Sequence, residues 1–435
     1  MSEVSHLILI RCTLHASPLG IRVRHYRTCG LEGVGMKIAT NGILRRAVVS
    51  QHTSINERRS VGRARQWLTG ILAVGLLGVL PISAAGQALP ANATIYASGL
   101  QGPRGLRFGP DGDLYVAEAG TGGSNSTGKA CTQVPAPVGP YKGGNKARIS
   151  KISSKGTRTT VASGFPSTQD AMGDLIGVAD VVFLDGTLYA VVAGGGCSHG
   201  NPNSPSGIAR VNRTTGQWQL IADIGAFLKT HPTKYESADD FEPDGTLYSA
   251  IAVDGTLYTV EPNHGEVLSV STSGVIKQIM DISASEGHIV PTSIAELNGS
   301  FYVGNLNLFP IDPQWARILT ISNGGSEDHY VPGFDTEGYH IVNSKAGFTT
   351  VVAVDIGPDG LLYALELSDA AGNPAPGNGK VVRIKRDGEI EDVVTGLVVP
   401  TGMTFGPDKA LYVSNFGAAP AGAGQILRIP IPLCW

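Results

Sequence analysis

Six tyrosines in this chain occupy the same point of a recurring phrase, and three positions past them stand Glu118, Val192, Glu261, Asn305, Glu366 and Asn415. Five of the six are carboxylates or amides. If the phrases are equivalent structural units, these side chains are expected to converge as a polar ring. An oxygen-rich ring suits a hard cation such as Ca²⁺, which takes about six to eight oxygens. The same ring would also suit a polar ligand, or a general acid and base made unequal by their surroundings. His264, three positions past Glu261, is the best-placed titrating group. The plainer expectation for the same pattern is a strand-end residue bonded to its own blade's backbone.

Other chemistry-bearing residues lie near these positions. Cys131 and Cys197 fall in two long glycine-rich insertions, "GTGGSNSTGKACTQVPAPVGPYKGGNK" and "GGGCSHGNPNSPS". In an exported chain they are expected to form a disulfide pinning the two loops; two free thiols, or a metal shared with His199, are the other readings. The stretch "KYESADDFEPDG" gathers Glu236, Asp239, Asp240, Glu242 and Asp244, either a solvated acidic loop or an attractor for a cation or basic ligand. No His-Glu-x-x-His, phosphate loop or Cys-x-x-Cys occurs, so the common classes that use them gain no support.

The elements that must position these residues are short strands. A turn followed by Leu-Tyr or Phe-Tyr recurs in "FGPDGDLYVAE", "FLDGTLYAVV", "AVDGTLYTVE", "AELNGSFYVGN", "IGPDGLLYALE" and "FGPDKALYVSN". Each reads as a β-hairpin by its turn residues and β-formers. A second strand pair follows in each unit, for example "GEVLSVSTSGVIKQIMDIS" and "GKVVRIKRDGEIEDVVTGL". The unit of four strands and its period are those of a propeller blade. The last unit stops after "GQILRIPIP", while "TIYASGL" near the front resembles the missing fourth strand. The sequence therefore predicts an all-β, six-bladed β-propeller of four-stranded antiparallel blades over residues 90–435, the last blade closed by the N-terminal strand of the mature chain. A seventh phrase, "EPDGTLYSAI", has no room for its own hairpin and reads as the approach to the third unit. Propeller topology puts the ends of the second strands, the long insertions and the starts of the first strands on one face, where binding is expected.

Charge divides the chain. Through Leu89 there are 11 Lys plus Arg against 3 acids, and 22 against 33 beyond, giving +8 and −11. The basic part ends in Arg58, Arg59, Arg63 and Arg65, an apolar run from Leu68 to Leu80, and a small-residue exit at Ser83-Ala84-Ala85. That order predicts a signal peptide over 58–88, preceded by an extension over 1–57 outside the fold, and a secreted or periplasmic product. The apolar run is short for a membrane span, and the acidic remainder argues against a nucleic-acid partner. A monomer is expected, with no stable membrane span after cleavage. Cys12 and Cys29 fall in the leader region, and Cys434 has no evident mate.

With "VASGFPSTQDAMGDLIGVADVVF", "AGGGCSHG", "DDFEPDGTLY" and "AGFTTVVAVDIGPDGLLYALE" in view, residues 90–435 resemble the ScyD/ScyE family of exported bacterial proteins. The resemblance implies a six-bladed propeller of the TolB-like, NHL-related kind, and carries no catalytic motif onto these positions. Two functional expectations stand side by side. One is a binding module for a small molecule, glycan or protein; the other is a Ca²⁺-assisted hydrolase or lactonase of the gluconolactonase-like propeller kind.

Overall fold

The computed structural model describes residues 88–238, 240–313, 315–323 and 338–432. The expected extension over 1–57, nearly all of the expected leader, Asp239 and Cys434 lie outside them.

The described residues form six antiparallel sheets. Blade 1 runs Pro103–Phe108, Leu114–Glu118, Lys142–Ile152 and Arg158–Gln169, with the short strand Leu175–Ile176 added at its edge. Blade 2 runs Val178–Leu184, Thr187–Val192, Gly207–Val211 and Trp218–Asp223. Blade 3 is Ala250–Val253, Thr256–Glu261, Glu266–Ser271 and Ile276–Asp281, and blade 4 is Pro291–Leu297, Ser300–Asn305, Ala316–Asn323 and Tyr339–Phe348. Blade 5 is Val351–Ile356, Leu362–Glu366, Gly379–Ile384 and Ile390–Leu397. Blade 6 takes Gly402–Phe405, Leu411–Asn415 and Gly424–Ile429 from the C-terminal side and Thr94–Leu100 from the N-terminal side. The first strand of each blade touches the first strand of the next, and that of blade 6 touches that of blade 1. The protein is a closed six-bladed β-propeller with its first strands around the axis.

The recurring phrase is two kinds of turn. In blades 2, 3 and 4 the hairpin turns on Asp185-Gly186, Asp254-Gly255 and Asn298-Gly299, whose φ values are all positive, 49° and 73°, 48° and 77°, 54° and 79°. Two consecutive left-handed residues match the twist of the strands they join, which is why Asp-Gly and Asn-Gly recur there. In blades 1, 5 and 6 the phrase is Gly-Pro-Asp, and the tyrosine of the second strand folds back over it. Tyr115, Tyr363 and Tyr412 donate their hydroxyls to Asp111, Asp359 and Asp408 at 2.8, 2.9 and 3.2 Å. The ring leaves no room for a side chain before the proline. A Cβ on Gly109, Gly357 or Gly406 would lie 2.6, 2.4 or 2.5 Å from a tyrosine ring carbon.

Packing is blade on blade, because strands around an axis have no solvent face of their own. Tyr115, Ala117, Ile149 and Phe165 of blade 1 meet Val181, Leu188 and Ala190 of blade 2 in one buried cluster. Closure follows the same logic at the ends of the fold. Thr94–Leu100 pairs antiparallel with Gly424–Ile429, from Thr94 opposite Arg428 to Leu100 opposite Gly424. Leu100, Ala97 and Ile426 are buried with Leu106 and Val116 of blade 1.

Deleting residues 94–100 is expected to expose the edge of Gly424–Ile429 and unseat blade 6 from blade 1. Thermal melting should become broad and lower, and gel filtration should show oligomers through edge-to-edge pairing. A sharp, unshifted melt of a monomer would contradict this account of closure.

Candidate functional site at the channel mouth

The structure corrects the expected polar ring. Glu118, Glu261, Asn305, Glu366 and Asn415 end the second strands of their blades and are at most 2% exposed. Their side chains turn back to the segment that leads into their own blade, 15 to 17 residues earlier. Glu118 accepts from the Gln101 amide at 2.7 Å, Glu261 from Thr246 at 2.8 Å, Glu366 from Thr349 at 2.6 Å and Asn415 from Val398 at 2.7 Å. Asn305 instead donates to the Ile289 carbonyl at 2.9 Å and accepts from the Arg317 amide at 2.8 Å.

The physical reason is backbone satisfaction. A linker crossing between blades cannot join either ladder, so its buried amides and carbonyls need side-chain partners. Glutamate meets the linker N–H groups of blades 1, 3 and 5, while asparagine meets an N–H at Val398 and donates to a carbonyl at Ile289. Val192 breaks the pattern because its linker, Leu175–Ile176, is itself paired as a strand to Thr168 and Gln169 of blade 1. Glu118 is further held by a two-point contact from Arg148, at 3.0 and 2.9 Å, and by the Ser150 hydroxyl. Committed in this way, the carboxylates do not assemble the calcium ring expected from sequence. Among the described residues no three of His, Cys, Asp and Glu are grouped to hold a metal ion.

His264 is likewise enclosed. It is 2% exposed, its ring contacts Glu261 at 2.9 Å, and its carbonyl accepts from the Thr233 hydroxyl at 2.8 Å. Burial opposes its charge, but Glu261, Glu266 and Glu236 outweigh burial and lift it from 6.5 to about 9. Glu261 is lowered: burial works against its charge, and His264 and the two amides overcome burial. Glu266 lies opposite Glu261 on one neighbouring strand and Asp281 on the other. Burial raises it from 4.5 to about 8, with Glu261 adding to the rise and Gln278 opposing it.

The two cysteines are bonded, Cys131 to Cys197. Around the bridge a wall is built from the insertions of blades 1 and 2 and the linker into blade 3. The Thr127 hydroxyl donates to the Cys197 carbonyl at 2.7 Å. Glu242 accepts from the Tyr141 hydroxyl at 2.7 Å and from Thr246, and lies 3.0 Å from His199 Nε2. The His199 Nδ1 faces the Gly195 carbonyl. Burial disfavours its charge, but Glu242 and that carbonyl raise it above its ordinary value. Asp244 takes both the amide and the hydroxyl of Ser198, at 2.7 and 2.6 Å, and Lys229 at 2.6 Å. The acidic run is therefore not one solvated loop: Glu242 and Asp244 are buried struts, and Asp240 pairs with His288 at 2.8 Å.

The wall stands beside a cluster that sequence reading missed. Arg104, at the start of blade 1's first strand, donates to Asp174 at 2.8 Å and to the Leu175 carbonyl. It also interacts with the Tyr248 hydroxyl. Asp180, on the first strand of blade 2, accepts from Ser249 at 3.2 Å and the Ala250 amide at 3.1 Å. It lies so close over Gly105 that a Cβ there would fall 1.9 Å from its carboxylate. Burial raises Asp180, against the pull of Arg107. Asp170 is pushed up to about 6 by burial and then by Asp174. Further in, Arg107 reaches across the ring to Asp355 at 3.4 Å. Three blades and two linkers thus bring arginines, carboxylates and a phenol together at the axis, with the Asp174 side chain 42% exposed. That arrangement can grip hydroxyl and acidic groups of a polar molecule. The one sequence signal was the surplus seventh phrase, whose tyrosine is Tyr248.

Asn305→Asp should cost about 1–3 kcal/mol, because a carboxylate would face the Ile289 carbonyl without a donor; urea unfolding checks it, against a smaller loss for Glu366→Gln. His264 and Glu266 both hold a proton more tightly folded than unfolded. The His264 contribution is complete below 6.5 and is lost as pH rises through about 9, and Glu266 lowers stability as pH rises from 4.5 to about 8. The melting temperature should fall from pH 6 to pH 9, and Glu266→Gln should flatten that fall. A flat wild-type profile would contradict it.

No family model and no curated protein matches the chain. Among solved structures, a gluconolactonase from Xanthomonas campestris aligns at a TM-score of 0.46 with 10% identity, over 78% of this chain and 89% of that one. The PQQ-bound aldose sugar dehydrogenase of Streptomyces coelicolor aligns at 0.46 with 13% identity, over 79% and 100%. Regucalcin of Agrobacterium tumefaciens, a calcium-binding protein, aligns at 0.46 with 13% identity, over 80% and 96%. At this distance the similarities bear on neither substrate nor mechanism.

Proposed function

We propose that this chain is an exported, monomeric binding propeller of the ScyD/ScyE kind, and that its mouth takes a small polar ligand between Arg104, Asp174 and Tyr248. One observation carries the reading: the phrases that bear the family resemblance supply the parts around that mouth. "VASGFPSTQDAMGDLIGVADVVF" contributes Asp170, Asp174 and Asp180; "AGGGCSHG" contributes Cys197, Ser198 and His199; "DDFEPDGTLY" contributes Glu242, Asp244, Thr246 and Tyr248. The disulfide suits an oxidising compartment, as the leader-like stretch before Ala88 does. Rigid, cross-braced insertions on a stable scaffold lower the ordering cost of binding. Binding is favoured over calcium-assisted hydrolysis because the carboxylates that would have held the ion are spent within their blades.

Thermal shift against hydroxy acids, lactones and short oligosaccharides tests this. A ligand that prefers the folded form contributes about 2.7 kcal/mol at a hundred times its Kd, which in a propeller of this size is a rise of several degrees. The rise should be lost in Arg104→Met and reduced in Asp174→Asn. A shift indifferent to both substitutions, or turnover of a lactone, would overturn the proposal.

A further inference from the structure

No helix or strand interrupts the chain between Leu228, where the short helix after blade 2 ends, and Ala250, where blade 3 begins. So long an irregular connection inside a packed fold is usually a functional one. Its outer half is held without a core: from Pro232 to Phe241 no apolar side chain among the described residues is buried. Polar contacts fasten it instead. Thr233 donates to the His264 carbonyl at 2.8 Å, the amides of Lys234 and Tyr235 to Asp281 and Ser283 at 2.8 and 3.0 Å, and Asn263 to the Asp240 carbonyl at 3.2 Å. Three carboxylates of this strap each meet a histidine of a different element. Glu236 lies 3.9 Å from His264 in the turn after blade 3's second strand, Asp240 2.8 Å from His288 in the linker into blade 4, and Glu242 3.0 Å from His199 in the insertion of blade 2.

Two of the three rings face acceptors at both nitrogens. His199 turns Nδ1 to the Gly195 carbonyl and Nε2 to Glu242; His264 turns Nδ1 to Glu261 at 2.9 Å and Nε2 to Glu236. A neutral imidazole has one N–H and one lone pair, so each ring satisfies both neighbours only as the imidazolium. His288 differs: its Nδ1 is buried with no partner, and a neutral ring donating from Nε2 to Asp240 serves it. The surroundings favour charge on the other two. Around His199 stand Glu242, Asp244 and the edge-on ring of Tyr141, with Lys229 spent on Asp244. Around His264 stand Glu261, Glu266, Glu236 and the ring of Phe241, with Asp281 behind Glu266.

Both rings act on one residue. Glu242 accepts from the Thr246 hydroxyl, and Glu261 accepts from the Thr246 amide at 2.8 Å. Two positions on is Tyr248, whose hydroxyl meets Arg104 at the mouth, and next to it Ser249 and Ala250 donate to Asp180.

We propose that this strap gates the mouth by pH: with His199 and His264 charged it is seated and holds Tyr248 against Arg104, and with them neutral Glu242 lets go and the strap lifts. The inference rests on the binding reading above only for what the strap controls. Its sign follows from linkage: the seated strap holds its protons more tightly than the lifted one, so seating is favoured at low pH and lost as pH rises. The His264 contribution is whole below 6.5 and gone above about 9. Seating also leaves Asn263 Oδ1 and His288 Nδ1 buried without a partner, a cost that hydration removes once the strap lifts.

Hydrogen exchange of the intact chain, each peptide normalised to its free-peptide rate at the same pH, tests this without any ligand. Between about pH 6 and about pH 9 the peptide spanning 233–248 should lose at least about tenfold of its protection, while Leu362–Glu366 and Gly379–Ile384 of blade 5 keep theirs. Glu242→Gln, whose amide can donate to the lone pair of a neutral His199, should shrink that loss severalfold, and His288→Gln should leave it in place. A measurement free of substitutions stands beside these: the ring nitrogen resonances of His199 and His264 should be those of imidazolium at about pH 7. Equal protection at both pH values, a loss shared by blade 5, a response undiminished in Glu242→Gln, or neutral rings at about pH 7 would each overturn the gate. Failure of the binding reading would show instead in the thermal shifts, which these measurements do not use.

Discussion

The pairing of Thr94–Leu100 with Gly424–Ile429 turns a row of sheets into a ring. Without it blade 6 would have three strands and an open edge, and the cluster holding Leu100 and Ile426 against Leu106 and Val116 would have no outer wall. Because the first strands all face one axis, a lost blade is felt at every other blade. The channel mouth exists only while the circle is closed.

A ring of sheets makes a second demand. Six times the chain must cross from the outer strand of one blade to the inner strand of the next, leaving backbone groups that no ladder satisfies. The residue three past each tyrosine answers this locally, as glutamate for Gln101, Thr246 and Thr349 and as asparagine for Ile289 and Val398. Where the crossing is itself a strand, at Leu175–Ile176, valine suffices. Only at Ile289, where the linker presents a carbonyl, does the backbone require a donor; the N–H of Val398 is met by Asn415 as the others are met by glutamate.

Polar groups freed from that duty lie elsewhere. The linker into blade 3 is long, and its Glu242 and Asp244 brace the insertions of blades 1 and 2 against it through Tyr141, His199, Ser198 and Lys229. This bracing and the Cys131–Cys197 bond give the mouth a stiff side next to Arg104, Asp174 and Tyr248.

Blade number, the hairpin turns, closure by "TIYASGL" and the cysteine pair were legible in the sequence, because turn chemistry and strand alternation act over a few residues and a repeat states them six times. Asp-Gly at 185–186 must turn wherever it stands. The direction in which Glu118 or Glu366 points was not legible, since it depends on which backbone groups a linker 15 to 17 residues earlier leaves unpaired. Nor was the meeting of Arg104, Asp174 and Tyr248, which stand far apart in the chain and come together only when three blades pack around one axis. Local chemistry determined the units; the closing of the circle decided which side chains were consumed in holding it and which were left for a ligand.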